Sequence, residues 1–233
     1  MSEHPVAFIA GATGFTGRAI AYQDAAAHGV ELRLQVRPDS PGAKKLGADP
    51  RVREISLSDP EGLEQGMKGA TAVMQLIGTV RARFDEQTSY ETVDYQSTVQ
   101  LLQAAKRCQI PHFILLSSVG AQTGWGAYLS WKKKTEDLVR SSGIPYTIVR
   151  PSYLAGDADF KDRLRLEATS AFLRGLSDTF MVGALAADMR PIPIQILARV
   201  MLHLVHAGPQ QRALSGRHLW QIAREQKLYS FIR

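Results

Sequence analysis

The run Val6-Ala7-Phe8-Ile9-Ala10-Gly11-Ala12-Thr13-Gly14-Phe15-Thr16-Gly17-Arg18 restricts the fold more than any other stretch of the chain. Val6 to Ala10 is apolar and ends at a glycine, which is the pattern of a buried strand. Gly11, Gly14 and Gly17 follow at G-x-x-G-x-x-G spacing. Arg18 to His28 is rich in Ala and predicts a helix stopped at Gly29. Strand, glycine turn and helix together are the context in which such glycines bind a dinucleotide. Gly11 lets the chain turn sharply out of the strand. Gly14 leaves the backbone bare for a pyrophosphate, and Gly17 lets the helix pack closely on the sheet. The helix N-terminus offers unpaired N–H groups and partial positive charge to the phosphates.

The rest of the chain repeats the alternation. Strands are predicted at Val30–Val36, Val52–Leu57, Ala72–Ile77, Phe113–Leu116 and Tyr146–Val149. Between them lie a loop with a helical turn at Asp39–Gly47 and a helix opened by Asp59-Pro60, where Asp caps and Pro fits the first helical position. A long helix is predicted at Glu86–Gln109, with Val93, Val99, Leu101, Leu102 and Ala105 as its core face, and another at Tyr128–Ser142. This order implies βαβ units, hence an α/β fold: a Rossmann doubly wound parallel sheet with helices on both faces. After Pro151 the pattern loosens. Helices at Phe160–Leu173 and Ile194–His206, a short strand near Met181-Val182 and a last strand at Arg217–Ile222 are expected. The reading is one domain over 1–233, with a dinucleotide-binding core at 1–155 and a small substrate-side lobe at 156–233.

With 233 residues, 45% of them hydrophobic and 21% charged, the chain suits one large soluble domain. No apolar run reaches the ~20 residues of a membrane span, and Met1 to Pro5 does not read as a signal peptide. The single cysteine, Cys108, has no partner for a disulfide or a metal site. A cytoplasmic protein with no metal is expected. The net charge of +6 comes from scattered residues, apart from Lys132-Lys133-Lys134. No nucleic-acid signature accompanies it, and attraction to an anionic cofactor accounts for it.

Three places carry chemistry. Arg37 ends the second strand, where an NAD-selective site usually has an acid for the ribose hydroxyls. A guanidinium there pairs with a 2′-phosphate and stacks on adenine, so NADP is favoured and NAD is less expected. The bland alternative is an Arg closing a strand at the surface. Tyr128-x-x-x-Lys132 puts two side chains on one helical face. A nearby ammonium favours the phenolate, so Tyr128 can act as acid or base toward a carbonyl or alcohol; the alternative is an exposed Lys-rich face. Ser117-Ser118 ends the fifth strand, on the edge where parallel sheets bind ligands. A strand-end serine more commonly satisfies the local backbone.

Strand–GATGFTGR–helix, Arg37, HFILLSSVGA, Y-x-x-x-K and IPYTIVRPSYL occur in that order. The set resembles the atypical short-chain dehydrogenase/reductase superfamily, in particular its NAD(P)H-binding, NmrA-like and Tat-interacting oxidoreductase-like members. The likeness covers about residues 5–155 well and the remainder loosely, through Arg190-Pro191-Ile192-Pro193 and the helix after it. It implies that Gly11, Thr13, Gly14, Phe15, Thr16 and Gly17 hold the pyrophosphate and that Arg37 meets the adenosine phosphate. Leu57, Leu76, Ile77 and Gly78 would line the adenosine end. Tyr128 and Lys132 would be the catalytic pair, with Ser118 or Ser117 as third member, and Lys132 would also bond the nicotinamide ribose. Pro151 and Tyr153 would flank the nicotinamide. Where the family often has Gly-Asp-Leu after strand three, this chain has Ile55-Ser56-Leu57, and Asp59 lies beyond the usual adenine contact.

The expected function is an NADP(H)-dependent oxidoreductase acting on a small carbonyl or quinone-like substrate. Trp125, Tyr153, Phe160 and Phe180 would shape an apolar pocket, although such aromatics more often belong to the core. The alternatives are a non-catalytic NADP(H) sensor and a nucleotide-sugar epimerase or dehydratase. The partner is a small-molecule substrate, with no nucleic acid and no membrane, and the protein is expected as monomer or homodimer.

Overall fold

The computed structural model describes residues 4–23, 28–38, 40–46, 49–79, 89–152, 154–155 and 188–228. Its first strand, β1 (Val6–Ala10), is buried along its whole length. A strand covered on both faces needs a continuous apolar run, which is what Val-Ala-Phe-Ile-Ala supplies. Side chains alternate between the faces. Ala7 and Ile9 join one core layer, and Val6, Phe8 and Ala10 the other. Burying Phe8 and Ile9 contributes roughly 2 kcal/mol each.

The chain then runs through α1 (Phe15–Ala21), β2 (Glu31–Val36), α2 (Pro41–Leu46), β3 (Val52–Glu54), α3 (Pro60–Met67) and β4 (Ala72–Gln75). A wide π turn at Glu91–Gln96 leads into α4 (Ser97–Arg107). β5 (Phe113–Leu116), α5 (Gly126–Ser141) and β6 (Tyr146–Val149) complete the alternation. The last described elements are β7 (Leu154–Ala155), β8 (Ile192–Pro193), α6 (Ile194–Ala207), β9 (Ala213–Leu214) and α7 (Gly216–Glu225). Seven parallel strands form one sheet in the order β3-β2-β1-β4-β5-β6-β9, and β7 pairs with β8 apart from it. This is the doubly wound fold that the alternating pattern predicts. The strand order reverses between β1 and β4, so their C-terminal ends bound the ligand crevice.

Helices α1, α2, α6 and α7 cover one face, and α3, α4 and α5 the other. The cap at α3 is as expected: Asp59 accepts the Gly62 N–H at 3.0 Å, with Pro60 next to it. Several boundaries differ from the sequence reading. Helix α1 starts at Phe15, so Gly17 lies inside its first turn. Strand pairing ends earlier than the apolar runs do, at Glu54 and Gln75.

The strand expected at Arg217–Ile222 is a helix instead. Ser215 caps it in a reciprocal pair with His218, and Leu219 and Ala223, one turn apart, are both buried. The strand precedes it, where Ala213 and Leu214 pair with Ile148 and Val149. The chain after Ile192 thus rejoins the sheet, with β9 beside β6 and α6 against α1. The helix at Phe160–Leu173 and the strand near Met181 lie outside the described residues.

Candidate functional site

Gly11 and Gly17 meet different demands. Gly11 sits at φ +88°, in the left-handed region, and a Cβ there would lie 3.0 Å from Ile77 in the loop beyond β4. A Cβ on Gly17 would lie 2.1 Å from the Gly11 carbonyl oxygen and 2.7 Å from the Ala12 Cα. No side chain fits at that point. Gly14 is extended and stands at the N-terminus of α1, and its N–H donates to the Gly11 carbonyl at 3.0 Å. Thr16 is buried, whereas Phe15 is exposed and Thr13 partly so. A Cβ on Gly42 would meet Thr13 at 2.5 Å, so α2 leans directly on the glycine turn. A bare backbone turn at the β1/β4 crevice, with a helix starting from it, fits a dinucleotide pyrophosphate.

A polar network lies on the other side of the crevice. The Gln75 side chain donates to Ser97 Oγ at 3.0 Å and Thr98 Oγ1 at 2.9 Å, and accepts the Ile77 N–H at 2.8 Å. Both hydroxyls donate to the Asp94 carbonyl. The Asp94 carboxylate, inside the π turn, accepts the Thr79 N–H at 3.0 Å and pairs with Lys132 Nζ at 2.6 Å. Asp94 is 2% and Lys132 8% exposed. A buried charge needs such a partner, because desolvation would otherwise neutralise it. The Lys132 ammonium is 5.7 Å from the centre of the Tyr128 ring, and Tyr90 meets that ring edge-on at 5.6 Å. The structure therefore gathers Gly78, Thr79, Asp94, Tyr128 and Lys132 at the C-terminal edge of the sheet.

Ser117 belongs to a different group. Its hydroxyl donates to Glu136 Oε1 at 2.6 Å. Glu136 is fully buried and also receives Arg150, through Nε at 2.7 Å and through Nη2, and Arg140 at 2.8 Å. Burial pushes the Glu136 carboxyl up. The hydrogen bonds from Arg150, Ser117 and Arg140 outweigh that and hold it below its ordinary value. The clamp ties the ends of β5 and β6 to α5, one turn beyond Lys132. Ser118 is partly buried, and its hydroxyl makes a long contact, 3.3 Å, to the Val119 carbonyl.

The remaining expected residues are spread around the edge. Arg37 is exposed just past β2. Leu57 packs on the core layer of Phe8 and Leu63. Leu76 donates its N–H to the Ala10 carbonyl at 3.0 Å, closing the loop against β1. Pro151 is buried, and its carbonyl accepts the Val119 N–H at 2.9 Å. Ser56 bonds Ser58, while the buried Gln35 side chain donates to the Ile55 carbonyl. Trp125 is 84% exposed, so it is not a core residue. Tyr153, Phe160 and Phe180 lie outside the described residues.

The sequence reading missed Asp94, Gln75 and Glu136. Each had a signal: Asp94 interrupts the apolar period of the long helix, Gln75 stands in a buried strand, and Glu136 lies four residues beyond Lys132.

The fold and the crevice define a nicotinamide-dinucleotide-binding α/β protein. The NAD(P)H-binding family model matches residues 11–177, and the chain belongs to that family. It is 28% identical over 218 residues to protein TIC 62, chloroplastic, of Oryza sativa subsp. japonica, covering 79% of this chain and 43% of that protein. It is 26% identical over 202 residues to sanguinarine reductase of Eschscholzia californica, covering 69% of this chain and 72% of that one. The chain spans less than half the length of the TIC 62 proteins it matches. Among solved structures, it superposes on a putative NAD-dependent epimerase/dehydratase from Bacillus halodurans with TM-score 0.66 at 20% identity, covering 95% of this chain and 99% of that one. Among the described residues no helix is long and apolar enough to cross a membrane.

Proposed function

We propose that the protein is an NADP(H)-dependent oxidoreductase acting on a small carbonyl or quinone-like substrate. The observation that carries the reading is the placement of Tyr128 and Lys132 on one face of α5, beside the end of β4. When bound, NADPH supplies the hydride. The backbone of Gly11 to Gly17 holds the pyrophosphate, and Arg37 receives the 2′-phosphate with a charge-assisted hydrogen bond. Tyr128 gives its phenolic proton to the substrate oxygen as negative charge develops there, and recovers it from solvent. Lys132 stabilises the phenolate left behind. Ser118 is the serine offered to the substrate, because the Ser117 hydroxyl is engaged by Glu136. A cytosolic site of action belongs to the same proposal.

A second reading is favoured by the Asp94–Lys132 pair. The carboxylate compensates the charge that would activate Tyr128, which suits a protein that binds NADP(H) as a sensor without turnover. A nucleotide-sugar epimerase or dehydratase ranks third, because likeness to such enzymes at 20% identity carries the fold alone. Titration with NADPH, followed by the reduced-nicotinamide absorbance across a panel of carbonyls and quinones, separates the first two. Oxidation abolished by Tyr128→Phe supports the enzyme; binding with no oxidation by any acceptor supports the sensor.

A further inference from the structure

Among the described residues the large hydrophobic side chains exposed at the surface are Phe15, Tyr22 and Trp125, and Trp125 is the most open of them at 84%. It stands at the start of α5, on the edge of the sheet that bounds the crevice, three residues before Tyr128. The other two tryptophans are stacked. Lys134 Nζ lies 4.0 Å from the centre of the Trp131 ring, with Tyr95 edge-on at 5.8 Å, and the Arg190 guanidinium lies 4.0 Å from that of Trp220. Among the described residues no ring or cation meets Trp125 in this way. Nothing local favours an indole there. The position is a helix N-cap, where a short polar side chain satisfies the first N–H groups, and Trp125 makes no such bond. Glycines flank it in left-handed backbone, Gly124 at φ +64° and Gly126 at φ +75°. The Trp125 N–H donates to Thr123 Oγ1 at 3.2 Å, and the Thr123 hydroxyl donates to the Gly120 carbonyl at 2.8 Å. The backbone is therefore held while the ring stands clear. A Cβ on Gly126 would meet nothing within 4 Å, so the space beside the start of α5 is open. A residue that breaks the local rules with no gain in stability marks a functional position. A bare aromatic face close to a proton donor suits a flat ring, because stacking adds to the burial of area.

We propose that Trp125 determines specificity at the substrate end of the crevice, its indole face stacking on a planar aromatic carbonyl compound of the quinone type. This rests on the oxidoreductase reading above and narrows its substrate class. An aliphatic carbonyl of similar bulk gains contact with the ring but no stacking. The test compares menadione, a flat bicyclic quinone, with 2-decalone, a puckered bicyclic ketone. Each is titrated calorimetrically into protein saturated with NADP⁺, which has no hydride to give. Wild type, Trp125→Ala and Trp125→Phe are measured, and thermal melting confirms that each is folded, as expected for changes at an exposed side chain. The expected result is menadione bound about tenfold more weakly by Trp125→Ala and within about threefold of wild type by Trp125→Phe, with 2-decalone changed by less than about threefold in either. Equal losses on both compounds, undiminished menadione affinity in Trp125→Ala, or no recovery in Trp125→Phe would overturn the proposal. A wild type that binds NADP⁺ but not menadione also overturns it and leaves the cofactor assignment standing. A wild type that binds no NADP⁺ defeats the oxidoreductase reading itself, and this proposal with it.

Discussion

The glycine turn is made of backbone, whereas the surroundings of Lys132 are made of side chains. Gly11 to Gly17 fix their geometry within one short stretch, through a left-handed residue and a contact that admits no Cβ. The Lys132 site draws on the end of β4, the π turn and α5, and it closes only when those elements pack. Damage to the turn should therefore act on folding and on every dinucleotide alike. Damage to the polar site should act on part of the ligand, or on turnover alone. The two regions also differ in how they hold charge: the turn offers N–H groups, while the polar site sets a buried ammonium against a buried carboxylate.

The largest effect is expected at the first region. Gly17→Val sets its Cβ 2.1 Å from the Gly11 carbonyl oxygen and should destabilise the fold by roughly 3 kcal/mol or more, read in denaturant unfolding. A stable variant would show that the turn can open, and the contrast would weaken. In the second region, Lys132→Met leaves Asp94 buried without its ion-pair partner and should cost roughly 3 kcal/mol at neutral pH. That loss should shrink in Lys132→Met/Asp94→Asn, which removes both charges. A double variant no more stable than the single one would show that the pair is not coupled.

His112 serves as a control outside both regions. It is buried, its Nε2 lies 2.9 Å from Thr147 Oγ1, and burial holds its pKa at about 4 instead of 6.5. Above pH 6.5 both folded and unfolded states are neutral there. As pH falls from about 6.5 to 4 only the unfolded chain takes up the proton, so stability falls by about 3 kcal/mol and then levels off. Unfolding curves of wild type and His112→Gln across that window check it, and an acid slope of the same size in both would remove His112 as the cause. The smallest effect on folding is expected for Arg37→Ala. It should leave stability unchanged and weaken NADPH by about tenfold or more relative to NADH. Unchanged preference in a binding titration would break the NADP assignment.

The same contrast explains what the sequence made legible. The strand–glycine–helix pattern is local and every part of it is sequence-adjacent, so the turn and a doubly wound parallel sheet followed from spacing alone, whereas the strand order did not. Tyr128 and Lys132 were legible for the same reason, as an i, i+4 pair. Asp94 was not, because its role depends on Thr79 and Lys132, which only the packing of α5 against the π turn brings to it. Ser117 and Ser118 look equivalent in sequence; the difference between them is Glu136, across on α5. The last strand was misplaced because Leu219, Trp220 and Ile222 suggest β structure. The Ser215 cap and the pairing of Ala213 with Ile148 decided otherwise.

The most direct measurement of the central claim follows reduced-nicotinamide absorbance with wild type and Tyr128→Phe, each saturated with NADPH, across a carbonyl and quinone panel. The account predicts equal NADPH binding by both proteins. It also predicts oxidation by the wild type that falls by about a hundredfold or more in the variant. Tight NADPH binding with no acceptor reduced by the wild type, or turnover equal in the two proteins, would contradict it.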